Sequence, residues 1–369
     1  MKVLILNRYD PLNPKSGGAE IFTLEIAKRL VKDKHEVTWL SSTFKGAKQS
    51  QRHLGINIER KGSKLTTIYH AYRYYRRNKD NLDLVIDEIH GICSLTPLYV
   101  DKGQRVSLIH EVAGKIWFYM IPLPFSLTGI LFEKFYLRHI YAHERFLTVS
   151  KSTQQNLVAH GVNFKNINIV SEGLKDSVRD TKLSCKKSVN PQLIYFGGIR
   201  PMKRVEDQIK AVNTLKEEFP NIKLIILGTK QSRYYEKLQK LVTKLNLNKN
   251  IVFKGFLDEF QKNRQVQQSW LNLATSVKEG WGLAVSEAGR FEIPTVSYNV
   301  EGLRDSIQNG KTGVLTSQDS VHELAKEIKN LLLDNKTRKR LGKAAKTMAL
   351  KLDWDNSYKQ FLKALSWPN

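Results

Sequence analysis

The feature that most constrains this chain is an alternation. Short β-branched or leucine-rich runs are separated by amphipathic helical stretches, and the pattern runs through the chain twice. In the first half the runs are 3–6, 37–40, 84–86, 106–109 and 146–149. Runs that are apolar throughout, without alternation, belong to strands buried on both faces. Between the first two, Phe22, Ile26 and Leu30 recur at i, i+4 and i+8, which places them on one helix face. Strands alternating with helices form parallel sheets with right-handed crossovers.

Near 175–190 the pattern fails, in a polar stretch ending Lys186-Lys187-Ser188-Val189-Asn190-Pro191. It then restarts with runs at 193–196, 224–227, 251–253, 270–274 and 295–298, and with helices at 205–215, 234–245, 321–333 and 337–349. A chain of 369 residues is too long for one average core and comfortable for two. The expected fold is therefore α/β, with two doubly wound Rossmann-like domains facing each other across a cleft. They span 1–175 and 191–350, joined by a linker at 176–190. A terminal helix within 351–369 is expected to pack back on the first domain. Open sheets of this kind bind ligands beyond the carboxyl ends of their strands, but several unrelated activities use the plan.

Composition narrows the partners. Sixty Lys and Arg against thirty-five Asp and Glu leave a formal charge of +25, which attracts polyanions. The bases are spread along the chain with no nucleic-acid-binding signature, so an anionic membrane surface or a phosphorylated substrate is expected rather than nucleic acid. The two cysteines, Cys93 and Cys185, lie far apart and outside metal-ligand spacing. With an opening Met1–Leu6 run too short for a signal peptide, they point to the cytoplasm. Two segments bear on a membrane. Residues 69–77 mix Tyr69, Tyr72, Tyr74 and Tyr75 with Arg73, Arg76 and Arg77. Residues 116–132 carry no charge but are broken by Pro122 and Pro124, so they read as an interfacial apolar patch, a lipid-tail groove or core.

The strongest local signal is Lys278-Glu279-Gly280-Trp281-Gly282-Leu283-Ala284-Val285-Ser286-Glu287-Ala288. A strand ends, Gly280 and Gly282 form a turn, and a helix begins near Leu283. Amides at a helix start suit a phosphate or a sugar hydroxyl, and Glu279 and Glu287 project toward one pocket at different depths. A pair of solvated glutamates around a tight turn is the plainer alternative.

This segment resembles the Glu–seven residues–Glu motif of glycosyltransferase family 4, whose members are retaining enzymes of the GT-B fold. The resemblance implies that Glu279 binds donor-sugar hydroxyls and Glu287 the ribose. Gly280, Trp281, Gly282 and Leu283 correspond to the family's Gly-Phe-Gly-Leu, with Trp281 replacing Phe. Gly17 and Gly18, ending the first βα loop, match the glycine-rich stretch beside the donor diphosphate. His110, followed by Glu111, matches a histidine next to the donor sugar. Gly197-Gly198-Ile199-Arg200-Pro201-Met202-Lys203 is similar to the family's Gly-Arg-Leu-x-x-x-Lys loop. Lys203 falls on the Lys, but Gly198 stands where the family has Arg, and Arg200 is the nearest substitute. Ser150–Ser152, Val170–Leu174, Glu301–Leu303 and Asn309–Gly313 match further family loops.

The resemblance implies transfer of a hexose from a UDP- or GDP-linked sugar to a hydroxyl acceptor, a lipid-linked or cell-surface glycan, at the inner membrane surface. His110, Glu279, Arg200 and Lys203 would be the catalytic residues, and no cofactor is expected. Asp353-Trp354-Asp355 has the spacing of a metal motif found in transferases of another fold. Here it opens a helix, where aspartates cap and complement the dipole, so no metal is expected. A nucleotide-sugar epimerase, a phosphorylase and a silent membrane-binding scaffold are the alternatives.

Overall fold

The computed structural model describes residues 1–179, 185–230 and 232–366. The chain divides into two compact units: Met1–Gly173 together with Trp354–Asn369, and Leu174–Asp353. Of the expected linker, 180–184 lie outside the described residues, as do 367–369 of the terminal segment.

The first unit is built on β1 (Lys2–Leu6), β2 (Glu36–Ser41), β3 (Ser50–His53), β4 (Ile56–Arg60), β5 (Leu84–Ile89), β6 (Arg105–Ile109), β7 (Phe146–Thr148) and β8 (Ile167–Ile169). They lie in the order β3-β4-β2-β1-β5-β6-β7-β8. Every pairing is parallel except β3 with β4. The parallel run follows from the crossovers. Helix Gly18–Lys32 buries Phe22, Ile26, Ala27 and Leu30 and returns the chain from β1 to β2. The next strand beside β1 is β5, on its other side, so the strand order switches direction between them.

The second unit holds β9 (Gln192–Phe196), β10 (Lys223–Leu227), β11 (Ile251–Gly255), β12 (Leu271–Ala274), β13 (Thr295–Tyr298) and β14 (Gly313–Thr316), all parallel in the order β11-β10-β9-β12-β13-β14. Its switch point lies between β9 and β12. Helix Val205–Leu215 covers the sheet with Val205, Ile209, Val212 and Leu215.

The terminal helix, Trp354–Leu365, belongs to the first unit. Its Trp354, Tyr358 and Phe361 are buried, and the Trp354 ring meets Phe22 edge to face at 5.7 Å. Gly173 is required there: a Cβ would stand 2.4 Å from the Trp354 ring.

Several elements differ from expectation. In the β3–β4 hairpin β3 is polar and β4 alternates, burying only Ile56, Ile58 and Arg60, so no apolar run announces it. Its turn uses Leu54 and Gly55, both at positive φ. Arg60 at the end of β4 is buried against Asp10 through paired bonds of 2.7 Å. The 176–190 linker is corrected in part. Leu174 and Val178 lie in the second unit's core, so the helical turn Asp176–Arg179 belongs to that unit. The 116–132 stretch is not one environment. Ile116 and Trp117 are core, whereas most residues after them are exposed, in a short helix Trp117–Met120 and in helix Phe125–His139. Residues 69–77 fall in helix Thr67–Asn78, which buries Ala71 and Tyr75 and exposes Tyr69, Tyr72, Arg73, Arg76 and Arg77. Among the described residues no helix is long and apolar enough to cross a membrane.

Candidate functional site

At the second unit's switch point, the loop after β9 and the loop after β12 are tied together. The Thr275 hydroxyl lies 2.9 and 3.0 Å from the carbonyl oxygens of Lys203 and Arg204, and the Val277 amide donates to the Met202 carbonyl at 2.9 Å. This lacing brings Lys203 Nζ to 2.5 Å from Glu279 Oε1, the same oxygen that accepts from the Ser276 hydroxyl at 2.6 Å. Both partners of the ion pair remain about one-fifth exposed, so neither charge is sealed from an incoming ligand. The Glu279 backbone is approached closely by Gly302, which has φ +78°. A Cβ there would lie 2.1 Å from the Glu279 carbonyl oxygen. Gly282, at φ +91°, starts helix Leu283–Arg290, and the Trp281 indole donates to the Ser286 hydroxyl at 3.0 Å.

Glu287 sits on that helix and is buried, with Lys262 Nζ 2.6 Å away. Burial pulls the Lys262 pKa down, but Glu287 and Glu259 together outweigh it and raise the ammonium's pKa. Lys175 bonds Glu259 at 3.0 Å, so the charges run Lys175–Glu259–Lys262–Glu287. Glu279 and Glu287 are thus held by different lysines. Arg200 is extended, with φ −130° and ψ 150°, because Pro201 follows it. Its Nε lies 3.2 Å from where a Gly198 Cβ would be, so the Arg200 side chain covers the face of Gly198.

At the first unit's switch point a different cluster forms. Glu88, at the end of β5, is buried and accepts from Asn7 Nδ2 at 2.6 Å and the Thr23 hydroxyl at 2.7 Å through Oε2. Its Oε1 contacts His90 Nε2 at 2.9 Å and lies 3.7 Å from His110 Nε2. His110 directly follows β6, is buried, and has Glu172 Oε1 3.7 Å from its other nitrogen. The two imidazoles stack with centroids 6.3 Å apart. Burial works to lower the His90 pKa, but the Glu88 bond and the charges of Glu88, Glu20 and Glu111 raise it to about 9. Burial pushes the Glu172 carboxyl up. Gly17 and Gly18 open helix Gly18–Lys32 nearby, but Glu20 Oε2 already accepts the Gly17 amide at 2.6 Å. That carboxylate competes with any phosphate for the Gly17 amide.

The family model described as Glycosyl transferases group 1 matches residues 182–348, and that described as Glycosyltransferase Family 4 matches residues 16–177. The chain belongs to glycosyltransferase family 4. Among the relatives of this family 4 chain, poly(glycerol-phosphate) alpha-glucosyltransferase of Bacillus subtilis (strain 168) is 30% identical over 174 residues, 47% of this chain and 25% of that protein. The match spans no more than 41% of the length of the first three curated relatives. Sucrose-phosphate synthase from Thermosynechococcus elongatus superposes with a TM-score of 0.77 at 16% identity, covering 98% of both chains. HepE from Anabaena, solved with UDP-glucose, gives 0.75 at 19%, covering 99% of both. At these identities the likeness is one of fold, and the fold is GT-B.

Sequence reasoning missed Ser276 and Lys262, the residues that hold the two motif glutamates in this family 4 chain. It also missed Glu20, Glu88 and His90. A signal for the last two was present: Asp87-Glu88 interrupts an apolar run that ends in His90, and every residue of β5 is buried. Acids inside a fully buried strand need partners, and those partners define the site. Asp87 meets that requirement with Thr96, Tyr141 and the Ser94 amide, which anchors the loop following β5.

Proposed function

We propose that the chain is a retaining hexosyltransferase. It moves a hexose from a UDP- or GDP-linked sugar to a hydroxyl of a lipid-linked or cell-surface glycan, without a metal, at the cytoplasmic face of a membrane. The observation that carries this reading is the Lys203–Glu279 pair, oriented by Ser276 where the strand order of the second sheet reverses. As the bond between the anomeric carbon and the diphosphate oxygen breaks, negative charge grows on the leaving group. Lys203, Arg200 and the first amides of helix Leu283–Arg290 are the groups that meet it. Glu279 accepts sugar hydroxyls, Glu287 the ribose hydroxyls, and His110 orients the sugar. The acceptor oxygen attacks from the face the diphosphate leaves, and its proton passes to the departing phosphate oxygen.

The Bacillus subtilis relative is by name a glucosyltransferase, and the Anabaena structure holds UDP-glucose, so a UDP-hexose is the first donor to test. The decisive experiment is thermal unfolding of the chain with UDP, GDP and their hexose conjugates. A ligand at 100 times its dissociation constant adds about 2.7 kcal/mol of stability. No stabilisation by any of them overturns the reading.

A further inference from the structure

Helix Phe125–His139, the short helix before it and the turn between them carry Phe118, Leu123, Phe125, Leu131, Phe132 and Phe135, each 41–65% exposed. Exposed large apolar side chains concentrated in one segment mark an interaction site. The exposed charged residues along 114–139 are Lys115, Lys134 and Arg138, and the one acid of that stretch, Glu133, is buried. An exposed apolar stretch whose own exposed charges are all basic complements an anionic lipid surface, into which aromatic and leucine side chains insert while the bases meet headgroups.

Glu133 faces the other way. Its Oε1 accepts the Ala113 amide at 2.8 Å, and its Oε2 accepts the Gly114 amide at 2.7 Å and the Trp117 indole at 3.2 Å. Gly129 lets the helix lie directly on that indole, since a Cβ would be 2.6 Å from the Trp117 ring. Ala113 and Gly114 belong to the loop that leaves β6 just after His110 and Glu111. A buried carboxylate with three donors is a stiff joint, because a lost partner leaves charge uncompensated. The helix that presents the apolar face therefore also holds the loop carrying His110.

We infer that the Phe118–Phe135 face seats in an anionic membrane, and that Glu133 is the positioning residue through which seating steadies the His110 loop. The inference rests on the membrane reading given above and adds a coupling between lipid and site. It requires no turnover to test. Hydrogen–deuterium exchange at Ala113 and Gly114 is measured with and without vesicles of phosphatidylglycerol or of phosphatidylcholine. The wild type binds the anionic vesicles more tightly, and exchange at both amides then slows by about ten-fold, as expected for a charge-assisted bond that no longer opens. E133Q still sediments with the vesicles but loses the slowing. A surface variant, L131D with F135D, keeps its melting temperature and loses both binding and slowing.

The coupling is overturned if vesicle binding leaves these amides unchanged or slows them equally in E133Q. The membrane assignment is overturned if both vesicle types bind alike, or if the chain is a dimer that L131D with F135D dissociates. Nucleotide-dependent stabilisation reports separately on the donor site, so failure there is distinct from failure here.

Discussion

The two switch points solve the burial of carboxylates in opposite ways. In the second unit, Glu279 and Glu287 each touch a lysine at 2.5 and 2.6 Å, so charge is balanced before any ligand arrives. In the first unit, Glu20, Glu88 and Glu172 gather around His90 and His110, and the charge on His90 is set by Glu88 and its neighbours. One site is poised for an anion that can take over a lysine. The other responds to pH. The proposed donor chemistry is assigned to the lysine-balanced side, and the histidine side is the one whose charge changes with pH.

Breaking the lysine-balanced side gives the largest expected effect. Lys203→Ala removes the cation that the proposed mechanism sets beside the leaving group and is expected to cost turnover about a hundred-fold, at the upper end of the 1.5–3 kcal/mol of a charge-assisted bond. Glu279→Gln lowers turnover by about ten-fold or more, yet leaves nucleoside diphosphate affinity level or improved, because Lys203 is released from its partner. Glu287→Ala instead weakens the nucleotide. Steady-state kinetics with isothermal titration separates these outcomes, and matching nucleotide affinities in Glu279→Gln and Glu287→Ala would erase the division of roles.

Next in size is the departure at Gly198. Arg200 lies across the face of Gly198, the position where the family has its arginine. An Arg fork holds two phosphate oxygens where a lysine supplies a point charge. Arg200→Ala is expected to slow turnover about ten-fold. Adding Gly198→Arg to that variant recovers part of the rate, and unchanged turnover in Arg200→Ala leaves the phosphate to Lys203 and backbone amides.

Legibility in the sequence divides along the same contrast. The parallel sheets, the periodic helices and the Glu279–Glu287 segment were readable because their residues are contiguous or evenly spaced. Lys203 was readable through its loop, but its pairing with Glu279 was not, since the contact depends on Thr275 lacing two loops 72 residues apart. The first unit's cluster draws Asn7, Thr23, Glu88, His110 and Glu172 from separate elements, so no spacing announces it. The β3–β4 hairpin escaped because β3 is polar and β4 carries only the alternating Ile56 and Ile58, both buried, so neither strand forms an apolar run.

The histidine side is sharpened by pH. The His90 pKa is raised from 6.5 to about 9, so its protonation stabilises the folded chain fully below about pH 6.5, and the contribution is lost as pH rises through 9. Melting temperature is expected to fall across that window in the wild type. Glu88→Gln removes the largest upward influence on His90, so the decline shifts to lower pH and flattens, and the His90 ring signal in NMR titrates nearer 6.5. An unmoved His90 titration in Glu88→Gln would show that the 2.9 Å contact does not govern its charge.

The smallest effect is expected at Asp353-Trp354-Asp355. If these aspartates held a divalent cation, removing either would abolish activity and EDTA would do the same. The structure gives each an arginine instead: Asp353 accepts from Arg179 at 3.1 Å, and Asp355 pairs with Arg29 at 2.8 Å. Asp353 directly precedes helix Trp354–Leu365 and Asp355 lies in its first turn, where negative charge complements the helix dipole. Asp355 is largely exposed, and an exposed ion pair contributes about 0–1 kcal/mol. Asp355→Asn is therefore expected to lower stability by less than about 1 kcal/mol and to leave turnover unchanged. Activity of the wild type should persist in EDTA, because the proposed mechanism gives the leaving group's charge to Lys203 and Arg200 rather than to a metal. Loss of activity in EDTA with recovery on adding Mn²⁺ would reassign the leaving group to a metal.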